Sequence, residues 1–279
     1  MHAQQLLKEG NLPEALRALQ ADIRRQPGEP RLRIFLFQLL CVLGQWERAL
    51  AQLQVLGELD AATLPMVQTY RAALRCELLR QQVFAGRRAP VVLGDPLPWM
   101  VLLIDALRLQ AQGQPDQAAC NRERAFSLAP AMPGSLDGER FAWIGDADGR
   151  IGPFMEAFID GRYLWLPFQR MRRVEIEPPS DLRDLVWIPA SFCWTNGGQT
   201  VGLVPARYVD TVTVDDARLL LAQRTDWLPA PDGAGLGQRL LATDRDEVGL
   251  LNLRRIEFDD PGPEAAQATP GEQERPWPV

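Results

Sequence analysis

Histidine and lysine are almost absent: the chain of 279 residues holds one of each, His2 and Lys8. With a single histidine near one end there is no Ser–His or Cys–His nucleophile and no histidine-based metal cluster. With Lys8 as the only lysine there is no Walker A loop, and no G-x-S-x-G elbow occurs. Cysteine is sparse too. Cys41, Cys76, Cys120 and Cys193 never stand closer than 35 positions, so no C-x-x-C pair exists for zinc or redox exchange. Three of the four lie in helical patterns beside Leu, Val or Ala and read as small buried hydrophobes in a reducing cytoplasm. Long apolar runs are missing as well. The longest, Ile34 to Leu43, is interrupted by Gln38 and is about half of what a bilayer span needs. The first ten residues are polar and lack the apolar core of a secretory signal. A cytoplasmic protein is expected, without metal or cofactor.

Positive charge is in deficit, 30 Lys plus Arg against 36 Asp plus Glu, for a net charge of −6. Nucleic acids and anionic membranes draw their binders through a basic face, so neither is an expected partner. Two segments imitate ligand loops and fail on spacing. Gly233-Ala234-Gly235-Leu236-Gly237 lacks the third-glycine spacing of a phosphate loop and runs toward a strand instead of a helix N-terminus. Asp146-Ala147-Asp148-Gly149 begins like a calcium loop, but Arg150 and Ile151 fall where a ligand and a glycine belong. A turn capped by Asp146 and Asp148, with Arg150 paired to one of them, accounts for it.

The first half carries a repeat. Gly10, Ala15, Leu16 and Leu19 recur 34 positions later as Gly44, Ala49, Leu50 and Leu53. Gly113, Ala118 and Ala119 follow 69 positions beyond Gly44, Ala49 and Leu50. Pro27 and Pro130 each close a unit, 17 residues after its glycine. This is the tetratricopeptide period. The glycine takes the left-handed backbone that ends a helix, the alanine lets two axes approach, and the proline stops the second helix. The pattern predicts helices over 2–9, 13–25, 31–43, 46–59, 66–85, 98–112 and 115–128. A degenerate pair is expected between 61 and 97, broken at Arg87-Arg88-Ala89-Pro90. An irregular helical bundle with coincident turns is the competing reading.

From Pro133 the texture turns to short β-branched and aromatic runs between glycines and prolines. The expected elements are a brief helix from Phe154 to Asp160, strands at Tyr163–Leu166, Val174–Glu177 and Leu185–Trp194, and a hairpin through Asn196-Gly197-Gly198 into Thr200–Val204. A helix from Asp215 to Arg224 follows, then strands at Leu240–Thr243 and Val248–Ile256 around a charged turn. The fold class is α+β: tetratricopeptide-like helices over 1–132, then a small antiparallel barrel or sandwich over 133–258. Residues 259–279, with five prolines and five acids, are expected to be a disordered tail.

Several stretches resemble one family. They are Arg33 to Leu50 (RIFLFQLLCVLGQWERAL), Phe141 to Pro153 (FAWIGDADGRIGP) and Gly161 to Phe168 (GRYLWLPF). Asp181 to Ala190 (DLRDLVWIPA), Trp194 to Gly198 (WTNGG) and Gly237 to Asp244 (GQRLLATD) complete the set. Together, from about residue 5 to 257, they resemble the ImpE/TagJ proteins, accessory components of bacterial type VI secretion systems. Two loops depart: Arg207–Thr211 lacks a Pro-Gly after the tyrosine, and Gly149 replaces a usual serine. The resemblance implies a non-enzymatic protein that binds the N-terminal helix of the small contractile-sheath subunit, in connection with the sheath-recycling ATPase. A general chaperone for exposed apolar helices and a hydrolase in the β-rich half are the other classes.

Repeat geometry gives the first place to look for a docked helix. Alignment on Gly44 puts Arg31, Ile34 and Gln38 on the concave face, and alignment on Gly113 adds Leu103 and Leu107. An arginine beside aliphatics suits a partner helix with an apolar stripe and an acidic edge. The same apolar spacing also describes ordinary core packing. The competing surface is the β-rich half or the seam between halves, with Trp143, Arg150 and Tyr163.

Overall fold

The computed structural model describes residues 2–230 and 233–259. The first half is built from α1 (His2–Lys8), α2 (Leu12–Arg25), α3 (Pro30–Val42), α4 (Trp46–Leu59), α5 (Leu64–Phe84), α6 (Pro98–Ala111) and α7 (Pro115–Leu128). These bounds follow the expected helices closely. The helix starts use prolines, as in α2, α3, α5, α6 and α7, where the missing N–H would have had no helical partner. The repeat glycines do what their spacing predicts: Gly10, Gly44 and Gly113 have φ of 75°, 66° and 73°.

One expectation for this half is corrected. Residues 61–97 hold a single long helix, α5, and no second helix pairs with it. After Gly86 the chain bends at Arg87–Arg88, and Val91–Val92 forms β1, joined in parallel to β6 (Arg162–Pro167). Pro90 blocks a helical restart, and two β-branched valines fit a strand edge.

The second half contains β2 (Gly134–Leu136), β3 (Glu139–Phe141), β4 (Ile144–Asp146), β5 (Phe154–Ile159), β6 and β7 (Met171–Ile176). Next come β8 (Trp187–Trp194), β9 (Gln199–Pro205), the single turn α8 (Ala217–Leu220), β10 (Thr225–Trp227) and β11 (Gly235–Gly237). The last are β12 (Leu240–Thr243), β13 (Glu247–Gly249) and β14 (Arg255–Phe258). Nine strands form one sheet in the order β1-β6-β5-β9-β8-β7-β14-β2-β3, antiparallel except at β1. Its ends, β1 and β3, do not meet. The sheet is open and not the barrel that the strand pattern allowed. A three-stranded sheet, β13-β12-β4, and a β10-β11 ribbon complete the half.

Three local readings change. The segment expected as a helix from Phe154 is strand β5, with all six residues buried. Phe154 and Phe158 join the helix-side core, while Met155, Ala157 and Ile159 join the core on the other face. A strand buried on both faces loses its polar alternation, and its period is then hidden. The helix expected from Asp215 shrinks to α8, capped by the Asp216 carboxylate on the amides of Arg218 and Leu219. The strand expected over Val248–Ile256 breaks into β13, a tight turn and β14. The hairpin stands as expected: Trp194 N–H donates to Gly198 O at 2.9 Å, and Gly197 takes φ of 84°.

The apolar interior has two main parts. One lies between the helices and one face of the large sheet, and it joins Phe37, Trp46, Tyr70 and Trp99 to Phe154, Phe158, Trp165 and Trp187. The other fills the opposite face, beneath β12 and the turn at Leu250–Leu251. The expected disordered tail lies outside the described residues except for Asp259. That residue is paired to Arg140 and donates its amide to Pro133 O.

Candidate functional site

The seam between helices and sheet is clamped by buried charge. α5 presents Glu77 and Arg80 to the sheet, where β5 offers Glu156. Arg80 grips Glu156 with two bonds, 2.8 and 3.0 Å, and reaches Glu77 at 3.1 Å. The second Glu77 oxygen accepts from the Trp187 indole at 2.8 Å. Glu156 also accepts from the Tyr163 hydroxyl and from Arg239, and the Trp165 indole donates to Tyr163 at 2.6 Å. Arg239 lies 3.3 Å from Asp146.

Burial alone would raise every carboxyl here, so the outcome depends on the partners. For Glu156, burial is outweighed by Arg80 and Arg239, which hold the carboxyl down at about 2. For Asp146, burial wins over Arg239, and its carboxyl is pushed up to about 7. Arg207 sits 3 % exposed and donates to the carbonyls of Val42 (2.8 Å) and Cys41 (3.2 Å), closing the end of α3. Its burial lowers the guanidinium to about 10. This arrangement holds two layers together, and its carboxylates are engaged by guanidinium, indole and phenol.

The inner face of the helical repeats is largely buried in the chain's own interior. Gln38, Leu103 and Leu107 are buried, Ile34 is half-buried, and only Arg31 of that set is exposed. At the seam, Tyr163 is locked to Glu156, and Arg150 is 9 % exposed. Arg150 is paired with Asp148 (2.6 Å) and Asp210 (2.9 Å) and lies over the Phe84 ring at 5.0 Å. The turn expected at Asp146–Arg150 is thus present: Asp146 accepts from the Asp148 amide and Asp148 from the Arg150 amide. Trp143 is half-buried between β3 and β4. Among the described residues no group of three or more His, Cys, Asp or Glu is placed to hold a metal ion.

An open surface lies where the helices stop covering the sheet. Side chains of β8 and β9 alternate: Ile188, Ala190, Phe192 and Val204 enter the second core, leaving Pro189, Ser191, Val201 and Leu203 on the helix side. Against that strip stands the flank of α5, with Thr69, Ala72 and Ala73. A groove of about 530 Å³ runs between them, and Asp160, Gly161 and Glu177 also line it. A second hollow shares Ser191 and Val201 and continues toward Cys193 and Gln199. Val201 is 73 % exposed, the most exposed large apolar side chain among the described residues. A different cleft, about 450 Å³, separates the end of α5 from α6, between Arg87, Arg88 and Arg108.

Comparison with known proteins agrees with this architecture. Residues 6–74 match a tetratricopeptide repeat model, and residues 138–257 match the model described as ImpE protein. A Pseudomonas aeruginosa protein, the type VI secretion system accessory component TagJ, is 52% identical over 259 residues, 93% of this chain and 92% of that protein. The chain belongs to the ImpE/TagJ family. A crystal structure of a Vibrio parahaemolyticus protein shares the fold seen here with a TM-score of 0.85, covering 93% of this chain and 98% of the other at 24% identity.

Sequence reasoning missed Glu77, Arg80, Glu156 and Arg239 as a group. The signal was a single charge inside an otherwise apolar run, as in Phe154-Met155-Glu156-Ala157-Phe158. A buried charge of that kind requires a partner, but the partner lies 76 positions away. Val201 was read only as part of a hairpin strand, and nothing local marks it as uncovered.

Proposed function

We propose that this chain is a non-enzymatic accessory protein of a type VI secretion system and binds the N-terminal helix of the small contractile-sheath subunit. The observation that carries the reading is the 52% identity to TagJ across 93% of the chain. At that identity and coverage the two chains share one fold. The structure adds a groove with apolar walls, the form in which a helix with one apolar face is taken up. A cytoplasmic location goes with this reading, and among the described residues no helix is long and apolar enough to cross a membrane.

The test is calorimetric titration of the purified chain with the small sheath subunit, intact and with its N-terminal helix deleted. Binding of the intact subunit and none of the deleted form is the expected result. Equal binding of both forms, or of neither, overturns the reading.

A further inference from the structure

We infer that the groove between α5 and the β8–β9 strip is the docking surface, and that its occupant is a basic amphipathic helix; the inference deepens the proposed function and rests on it. The first ground is layer geometry. Helices cover the sheet over β6, β5 and the near ends of β8 and β9, where Trp165, Phe158 and Trp187 join the shared core. Beyond α5 the cover ends, yet the next strip is not dressed for water: Pro189, Val201 and Leu203 floor it. Farther out the face turns polar and self-paired. Arg173, Glu175, Arg255 and Glu257 form a ladder with contacts of 3.2 to 3.8 Å. The uncovered apolar strip is thus one helix wide, between α5 and that ladder. A helix laid beside α5 at the usual 8–10 Å spacing would complete the layer.

Size agrees. The five residues Gln199–Leu203 of β9 span about 16 Å, the length of about eleven helical residues. Ala72 and Ala73 on the α5 flank leave room for close approach.

Charge decides the class of helix. Asp160 and Glu177, both exposed, stand at the groove, and neither carboxylate has a partner among the described residues. On a chain of net charge −6 these two acids select a helix with lysine or arginine beside its apolar stripe. The sign is opposite to that expected from Arg31. The arginine-rimmed cleft beside α6 is the alternative site and would select acidic helices.

The experiment titrates the full chain and its variants with two probes, a peptide of the sheath subunit's N-terminal helix and a model helix of leucine and lysine. Val201→Glu and Glu177→Lys change exposed side chains, and unchanged melting curves verify that both variants fold. Each is expected to weaken both probes at least about tenfold, while Arg87→Glu with Arg88→Glu leaves affinity unchanged. A leucine–glutamate helix is expected to bind more weakly than the leucine–lysine one. Binding of the lysine helix that both variants weaken, without binding of the sheath peptide, would overturn the proposed partner and uphold the groove. Binding of the sheath peptide that Val201→Glu and Glu177→Lys leave intact would overturn the groove and uphold the partner. Failure of the wild type to bind either probe overturns both.

Discussion

Asp146 and Glu156 share Arg239 yet respond to acid in opposite directions. Burial lifts the Asp146 carboxyl to about 7, above its ordinary 3.8, so folding favours its protonated form. Its contribution is fully present below about pH 4 and is lost as pH rises through 7. Glu156, held at about 2 against an ordinary 4.5, contributes above pH 4.5 and loses that contribution as pH falls toward 2. The Asp146 share is on the order of 4 kcal/mol, since each tenfold change in proton affinity is worth about 1.4 kcal/mol. Asp146→Asn is expected to remove that downward slope between pH 4 and 7, leaving Arg239 paired to Glu156. Urea denaturation at several pH values measures it, and a variant slope equal to the wild type's would refute the assignment. Glu156→Gln has a harsher expected outcome. It strands Arg80 and Arg239 without their shared counter-charge, at a cost of about 3–5 kcal/mol, read as a lowered denaturation midpoint at pH 7.

Among the elements, the repeat glycines offer a controlled comparison. Gly44 and Gly113 occupy the same place in their repeats and the same left-handed backbone, φ 66° and 73°. A Cβ at Gly113 would meet nothing within 4 Å, whereas at Gly44 it would come within 2.6 Å of the Val212 side chain from the β-rich half. Gly113→Ala is therefore expected to cost about 1–2 kcal/mol, the left-handed strain alone. Gly44→Ala adds overpacking and is expected to cost about 1–3 kcal/mol more. Equal losses in thermal denaturation would show that Val212 moves aside freely. The element boundaries of the helical half were legible because prolines, glycines and 3.6-residue spacing all act within a few residues. Strand β5 was not, since Phe154–Ile159 is apolar toward two cores at once and carries no period to read.

At the scale of the molecule, the helical half and the β-rich half share one interior. Phe37, Trp46 and Tyr70 pack with Phe158 and Trp187, and β1 from the first half edges the sheet of the second. One cooperative unfolding transition is expected, with circular dichroism and tryptophan fluorescence giving coincident curves. A fragment of residues 1–132 would expose that interior and is expected to aggregate. Two separated transitions, or a soluble and folded fragment, would show that the halves stand alone. The amino-acid sequence by itself determined seven helices of the first half, the repeat period, the hairpin at Asn196–Gly198 and the family, because each rests on short-range geometry or on linear motifs. It left open which apolar face meets which. Ile34, Gln38, Leu103 and Leu107 have the spacing of a binding face and of a core alike. Only the folded chain, by burying most of them in its own interior and leaving Val201 uncovered, decided that the repeats' inner face is largely filled and that a strip of β8–β9 is bare. Burial is a property of surfaces brought together from distant positions, and no local pattern records which partner arrives.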